Sequence, residues 1–342
     1  MGWFSTELRY DMFDLQRSAE EAKRLVKCET IYHRGQELAW DGRDLLGELI
    51  EQHGGVTIAD PAKAEALSRI FNIILWGELA AWRISAQLAD RLVPLEAKMA
   101  ATSQAMDEAR HFYVMHDYLL ALGFKPTRLP RAPQALLDIV LDTDNLAVKL
   151  LGMQLMVETI ALTLFQMVRE LAVEPVLTEL MRYFERDEAR HVGLGMQYMP
   201  SLMQKMNKRQ LLALVTQQAR IISWAMIETY SLRDDLATLG INPRDIMDRA
   251  RLKQLAALGQ AYKAVGLDFD RMRNPASMSI NAALELMFPP EQGASMGSRA
   301  KAAWTAFWSV SGPVDGRELD VHGAHRIKTA RGKIAEGETV ID

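Results

Sequence analysis

One five-residue word, Asp-Glu-Ala-Arg-His, occurs twice in this chain of 342 residues, as Asp107–His111 and as Asp187–His191, 80 positions apart. A glutamate precedes the glutamate of each word by 30 positions: Glu78 before Glu108, and Glu158 before Glu188. Within each word Glu and His stand at i and i+3, which on a helix places them side by side on one face. The upstream glutamates extend the pattern. Glu78 lies 16 residues before Pro94 and Glu108 lies 14 after it, while around Pro175 the counts are 17 and 13. If each proline marks the turn of an antiparallel helical hairpin, all four glutamates sit roughly 20–24 Å from a turn at ~1.5 Å per residue, at one common height. Two such hairpins, packed with pseudo-twofold symmetry, converge four carboxylates and two imidazoles on one layer.

The rest of the chain reads as helix. Asp60-Pro61 is a cap followed by proline at the first helical position, and opens a segment reaching about Leu92. Pro94 opens the next, which ends near Leu122-Gly123. A short helix is expected over Gln134–Leu141, then a long one from Asn145, capped by Asp144, to about Ala172. Pro175 starts another that should stop before Pro200, and Asn207 caps a run to about Leu239-Gly240. Asn242-Pro243 and Asn274-Pro275 repeat the cap-plus-proline signature, and the first 55 residues read as one or two helices closed by Gly54-Gly55. Strand signals are scarce. The expectation is an all-α chain: a single helical domain over 1–311 with a four-helix bundle at about 61–200, additional N- and C-terminal helices, and a loosely ordered tail over 312–342.

Composition narrows the function classes. With 40 Lys+Arg against 44 Asp+Glu the formal net charge is −4, and no basic run marks a nucleic-acid surface. No apolar stretch of membrane-spanning length is free of charge, and the N-terminus lacks the basic start and apolar core of a signal peptide. A single cysteine, Cys28, excludes an internal disulfide framework and a thiolate cluster. The expected compartment is the cytoplasm, with no nucleic acid or membrane as partner. With seven histidines, a metal site must rely on carboxylates.

Such carboxylates are present. Leu75, Ala81 and Trp82 flank Glu78, and Leu155, Ala161, Leu162 and Phe165 flank Glu158, so the glutamates point into apolar surroundings. Four buried carboxylates without counterions are prohibitively costly, whereas two divalent cations neutralise them. Oxygen and imidazole donors without sulfur suit iron or manganese. Asp107 and Asp187 are placed to accept the second N–H of the histidines, and Arg110 and Arg190 to hold those aspartates.

At these residues the chain resembles the ferritin-like di-iron carboxylate superfamily, in particular its oxygen-activating branch of monooxygenase hydroxylases, N-oxygenases and ribonucleotide reductase small subunits. The resemblance covers about 70–200. It implies two metal ions, Fe/Fe or alternatively Mn/Fe, held by Glu78, Glu108 and His111 on one side and Glu158, Glu188 and His191 on the other, with Glu108 and Glu188 bridging. Three positions depart from its subfamilies. Met115 stands where the reductase subunit carries its radical tyrosine, Phe184 where N-oxygenases carry an extra histidine, and Leu162 where hydroxylases often carry threonine.

The expected function is therefore activation of O₂ at a carboxylate-bridged centre to oxidise a small organic, apolar substrate. Electrons would come from a ferredoxin or reductase, since the chain has no flavin or nucleotide motif; a homodimer is among the expected assemblies. A peroxide-scavenging metal protein and a radical-generating subunit are the alternatives. Phe184 and Gln104, each four residues before a ligand glutamate, should face the cluster. Met115, Met153, Met156 and Phe112 are candidate substrate-pocket residues, though core filling is the commoner role of methionine. Gly193 and Gly195 mark a close helix approach or a cavity. Glu185 is read as exposed or supporting rather than ligating, with an exchange of roles with Glu188 left open.

Overall fold

The computed structural model describes residues 16, 26–264, 266, 275–291, 293–309, 327–328 and 334–335. It is helical almost throughout, the exception being a two-residue antiparallel ladder that pairs Ile327 with Ala335 and Lys328 with Ile334. Otherwise the tail expected over 312–342 lies outside the described residues.

Helices α1 (Val26–Glu37) and α2 (Gly42–His53) precede the bundle. The first hairpin is α3 (Pro61–Arg91) and α4 (Leu95–Ala121), and α5 (Arg131–Leu141) follows. The second hairpin is α6 (Leu146–Leu171) and α7 (Pro175–Met203). Helices α8 (Lys208–Ser231), α9 (Arg233–Thr238), α10 (Pro243–Ala264), α11 (Pro275–Met287) and α12 (Met296–Trp308) complete the chain.

Most boundaries fall where the cap chemistry puts them. The Asp60 carboxylate accepts from Ala62 N–H ahead of Pro61, and Asn207 forms a reciprocal capping box with Gln210. Three expectations fail for local reasons. Asn145, not Asp144, caps α6, because its side chain reaches the N–H groups of Ala147 and Val148. Pro200 does not end α7, which continues to Met203 with the proline inside its last turn. The run after Asn207 breaks at Leu232, and Gly240 then closes the short α9 in a left-handed conformation at φ 83°.

Helix α6 also holds a feature that periodicity does not reveal. Residues Leu151–Val157 are π-helical, and Glu158 N–H reaches back five residues to Met153 O. The carbonyls this turn presents are taken from the side: Thr159 Oγ1 donates to Leu155 O and Met156 O at 3.1 and 2.8 Å. Helix α6 is long and apolar enough to cross a membrane, yet 78% of its apolar window is buried inside the bundle, as in a core helix.

The apolar interior divides into two large clusters. One gathers Phe71 and Leu75 of α3, Val114 and Met115 of α4, Phe165 of α6 and Phe184 of α7. The other gathers Ile84, Ala101, Leu155, Met156 and Val192 from the opposite halves of the same helices. Between the two, each of the four helices contributes a buried glutamate. The polar layer thus lies mid-height in a bundle with hydrocarbon above and below it, which raises the cost of any uncompensated charge there.

Candidate metal centre

The structure brings Glu78, Glu108, His111, Glu158, Glu188 and His191 together, each at most 4% exposed. Two groups of side chains could each hold an ion: Glu78, Glu108, His111 and Glu188 in one, and Glu108, Glu158, Glu188 and His191 in the other. Glu108 and Glu188 belong to both. His111 Nδ1 lies 3.3 Å from Glu78 Oε2 and 3.2 Å from Glu188 Oε1, and His191 Nδ1 lies 3.0 Å from both Glu108 Oε1 and Glu188 Oε2. Both imidazoles therefore turn Nδ1 toward the carboxylates.

Their opposite nitrogens are held by aspartates, and the arrangement is crossed. His111 Nε2 lies 3.1 Å from Asp187 of the other hairpin, and His191 Nε2 lies 3.3 Å from Asp107. A proton on each Nε2 donates to the aspartate and leaves the Nδ1 lone pair free for a metal. Arg110 Nη2 bonds Asp187 at 2.8 Å and also reaches Asp107; Arg190 Nη2 bonds Asp107 at 2.9 Å and also reaches Asp187. Burial alone would push these aspartates up, but the two guanidiniums hold both below the usual carboxylate range, Asp187 well below it.

Charge counting then defines what is missing. Two aspartates are matched by two arginines, which leaves four glutamates. Burial and then the neighbouring acids push Glu78 and Glu158 well above the ordinary glutamate value. Burial pulls His111 and His191 down, yet the carboxylates around them raise both well above the ordinary imidazole value. Glu108 Oε2 and Glu188 Oε1, on the two glutamates common to both groups, are buried without a hydrogen-bond partner. Orphaned oxygens at the shared positions, a sulfur-free donor set and four unmatched charges together fit two divalent ions.

The neighbours of the cluster match expectation unevenly. Gln104 faces it, and its Nε2 donates to Glu108 Oε1 at 3.1 Å and to Glu158 Oε1 at 3.0 Å. Phe184 stacks on His111 at 4.2 Å between ring centroids. Gly195 permits a close approach of α7 to α6, since a Cβ there would meet Gln154 Cβ at 2.7 Å; at Gly193 the contact would be an ordinary 3.5 Å. Glu185 is not exposed: it is 1% exposed and pairs with Arg169 Nε at 2.7 Å, away from the ligand groups. Trp82 turns outward at 40% exposure instead of flanking Glu78. Trp40, between α1 and α2, was not legible as part of the site. Its Nε1–H donates to Asp187 Oδ2 at 2.8 Å, and the Arg110 guanidinium lies 4.5 Å from its ring centre.

An apolar cavity of about 160 Å³ opens on the cluster. It lies where α3 and α6 diverge, with Glu78 and Glu158 on its floor and α5, α8, α9 and α10 as walls. None of Met115, Met153, Met156 or Phe112 lines it. The three methionines are fully buried core, and Phe112 packs against the cluster around Phe71 and Leu75.

A helical bundle whose core carries this carboxylate–histidine set defines the ferritin-like di-iron carboxylate class, oxygen-activating branch. More narrowly, the chain belongs to the p-aminobenzoate N-oxygenase AurF family, whose profile matches residues 87–265. Among solved structures it is similar to an R2-like ligand-binding oxidase, a point mutant with an aerobically reconstituted Mn/Fe cofactor. The two share 13% identity with a TM-score of 0.47, over 70% of this chain and 92% of that one. A search of curated protein sequences returns no match.

Proposed function

We propose that this protein is a di-iron monooxygenase acting on a small organic molecule. Glu78, Glu108, His111 and Glu188 would hold one ion, and Glu108, Glu158, Glu188 and His191 the other, with Mn/Fe as the alternative pair. Bound and reduced, the two metals supply the capacity to bind and activate O₂. One oxygen atom would enter the substrate and the other leave as water, with two electrons from an external ferredoxin or reductase and two protons from solvent. The family name points to an amine-bearing substrate.

The chain's own part follows from geometry. Asp107 and Asp187 orient the two imidazoles, Arg110 and Arg190 keep those aspartates ionised, and Gln104 holds Glu108 and Glu158 together. The observation that carries the reading is that Glu78 and Glu158 lie in both the ligand cluster and the cavity floor. A molecule in the cavity therefore sits against the cluster. The C-terminal helices roof that chamber, which a minimal metal-storage bundle would not need.

The test is metal analysis of reconstituted protein followed by rapid mixing of the ferrous form with O₂. Two metals per chain and an optical transient whose decay quickens with an added small amine support the reading. Well under two metals per chain, or peroxide turnover without substrate, would overturn it.

A further inference from the structure

The cavity contains one acid that the metal reading leaves unused. Glu228, near the end of α8, lines the same chamber as Glu78 and Glu158 and is 9% exposed. Neither of its carboxylate oxygens has a hydrogen-bond partner. The other polar lining residue outside the ligand set, Thr229, already spends its hydroxyl on Ala225 O at 2.9 Å. Among the described residues no lysine, arginine or histidine lines the chamber. With Glu78 and Glu158 committed to metal, Glu228 is the one polar group free to meet a ligand, and its charge would be unmatched.

From these observations the geometry points to a substrate class: an apolar body about one ring in size bearing a cationic amine, whose N–H groups bond the Glu228 carboxylate while the rest faces Glu78 and Glu158. Size sets the first limit. An engineered apolar cavity of about 150 Å³ in another protein holds one benzene, so 160 Å³ accommodates a ring and little more. Charge sets the second. A buried ammonium needs a paired, hydrogen-bonded anion, which Glu228 supplies; a carboxylate would meet only acids. Burial pushes Glu228 up to about 7, with no charged neighbour contributing, as expected of a carboxylate that lacks its counterion. An anionic group is therefore disfavoured at Glu228, which acts as a specificity-determining residue.

The inference rests on reading the cavity as the substrate chamber, but its test is separable from the oxygenase reading. Iron-loaded wild-type, Glu228→Gln and Glu228→Asp proteins are titrated calorimetrically with benzylamine at pH 7.5, toluene and benzoate, with metal content and O₂ uptake recorded on the same samples. Replacing Glu228 by Gln should weaken benzylamine roughly 10- to 100-fold, the span of a charge-assisted hydrogen bond, and leave toluene within about 2-fold. Glu228→Asp should retain most of the preference, and wild type should bind benzoate least. Equal weakening of benzylamine and toluene, benzoate binding as tight as benzylamine, or no binding of any of the three would overturn the assignment. Benzylamine selectivity in protein that loads metal yet consumes no O₂ would instead sink the oxygenase reading and leave the Glu228 site standing.

Discussion

The two hairpins repeat their ligands at an offset of 80 residues but not what stands beside them. Four residues before Glu108 the chain has Gln104; four before Glu188 it has Phe184. Gln104 bonds Glu108 and reaches across to Glu158, whereas Phe184 stacks on His111. Equivalent positions thus each serve the opposite hairpin, one through hydrogen bonds and one through packing. The helices differ as well: Glu158 follows a π-helical stretch, while Glu78 sits within a regular α-helix. Repetition makes the donor set symmetric, and the unrepeated neighbours make the two halves of the cluster inequivalent.

The largest effect should come from breaking what the hairpins share. Glu188→Ala removes a side chain common to both groups, so metal content should fall from two per chain toward zero with helix content nearly unchanged by circular dichroism. Glu78→Ala touches one group only and should retain about one metal. Equal loading in the two variants would refute the shared role of Glu188. Next is the packed half of the asymmetry. Phe184→Ala leaves a hole beside His111 in a fully buried cluster and should cost about 3–5 kcal/mol in denaturant unfolding. Gln104→Ala should cost less stability and instead loosen Glu158.

How far these features could be read beforehand depended on whether they are local. The ligand set, the two hairpins and most helix starts rest on spacing and cap residues, which act within a few positions. The crossed Asp187–His111 and Asp107–His191 pairs depend on how hairpins pack, so the sequence identified the partners without the crossing. Trp40 and Glu228 carry no spacing signal: one enters from the connection between α1 and α2, the other from a helix outside the bundle. Met115, Met153 and Met156 fill the core, the commoner role of methionine, because helical spacing marks a buried face without saying whether it borders a cavity.

The second hairpin also holds a buried ion pair, Glu185–Arg169, where the first has Ala105 and Ala89 at the equivalent positions. Burial outweighs the pairing with Arg169 and raises Glu185 from 4.5 to about 7. A carboxyl raised in the folded state stays protonated while the unfolded chain ionises. Its contribution to stability is therefore full below about pH 4.5 and is lost as pH rises to about 7. The loss is about 3 kcal/mol at 1.36 kcal/mol per pKa unit. Against wild type, Glu185→Gln should gain about that much between pH 4.5 and 7.5, whatever constant cost the substitution carries. A stability difference independent of pH would contradict the assignment.

The smallest and most discriminating effect concerns the crossing itself. If each aspartate tuned the histidine of its own helix, Asp187→Asn would perturb the metal bound by His191. In the crossed arrangement it acts on His111, because Asp187 Oδ2 lies 3.1 Å from His111 Nε2. Loss of a carboxylate partner to a ligand histidine costs 10–100-fold in metal affinity, so Asp187→Asn should weaken the position formed by Glu78 and His111. Asp107→Asn should weaken the one formed by Glu158 and His191. Both substitutions remove one charge from the same pair of arginines, so their general cost to folding is matched and only the identity of the weakened position differs. Combining each with Glu78→Ala makes this visible. Asp187→Asn adds little to a protein already lacking that position, whereas Asp107→Asn should weaken the remaining metal 10–100-fold. The reverse order would mean that the hairpins function as independent halves.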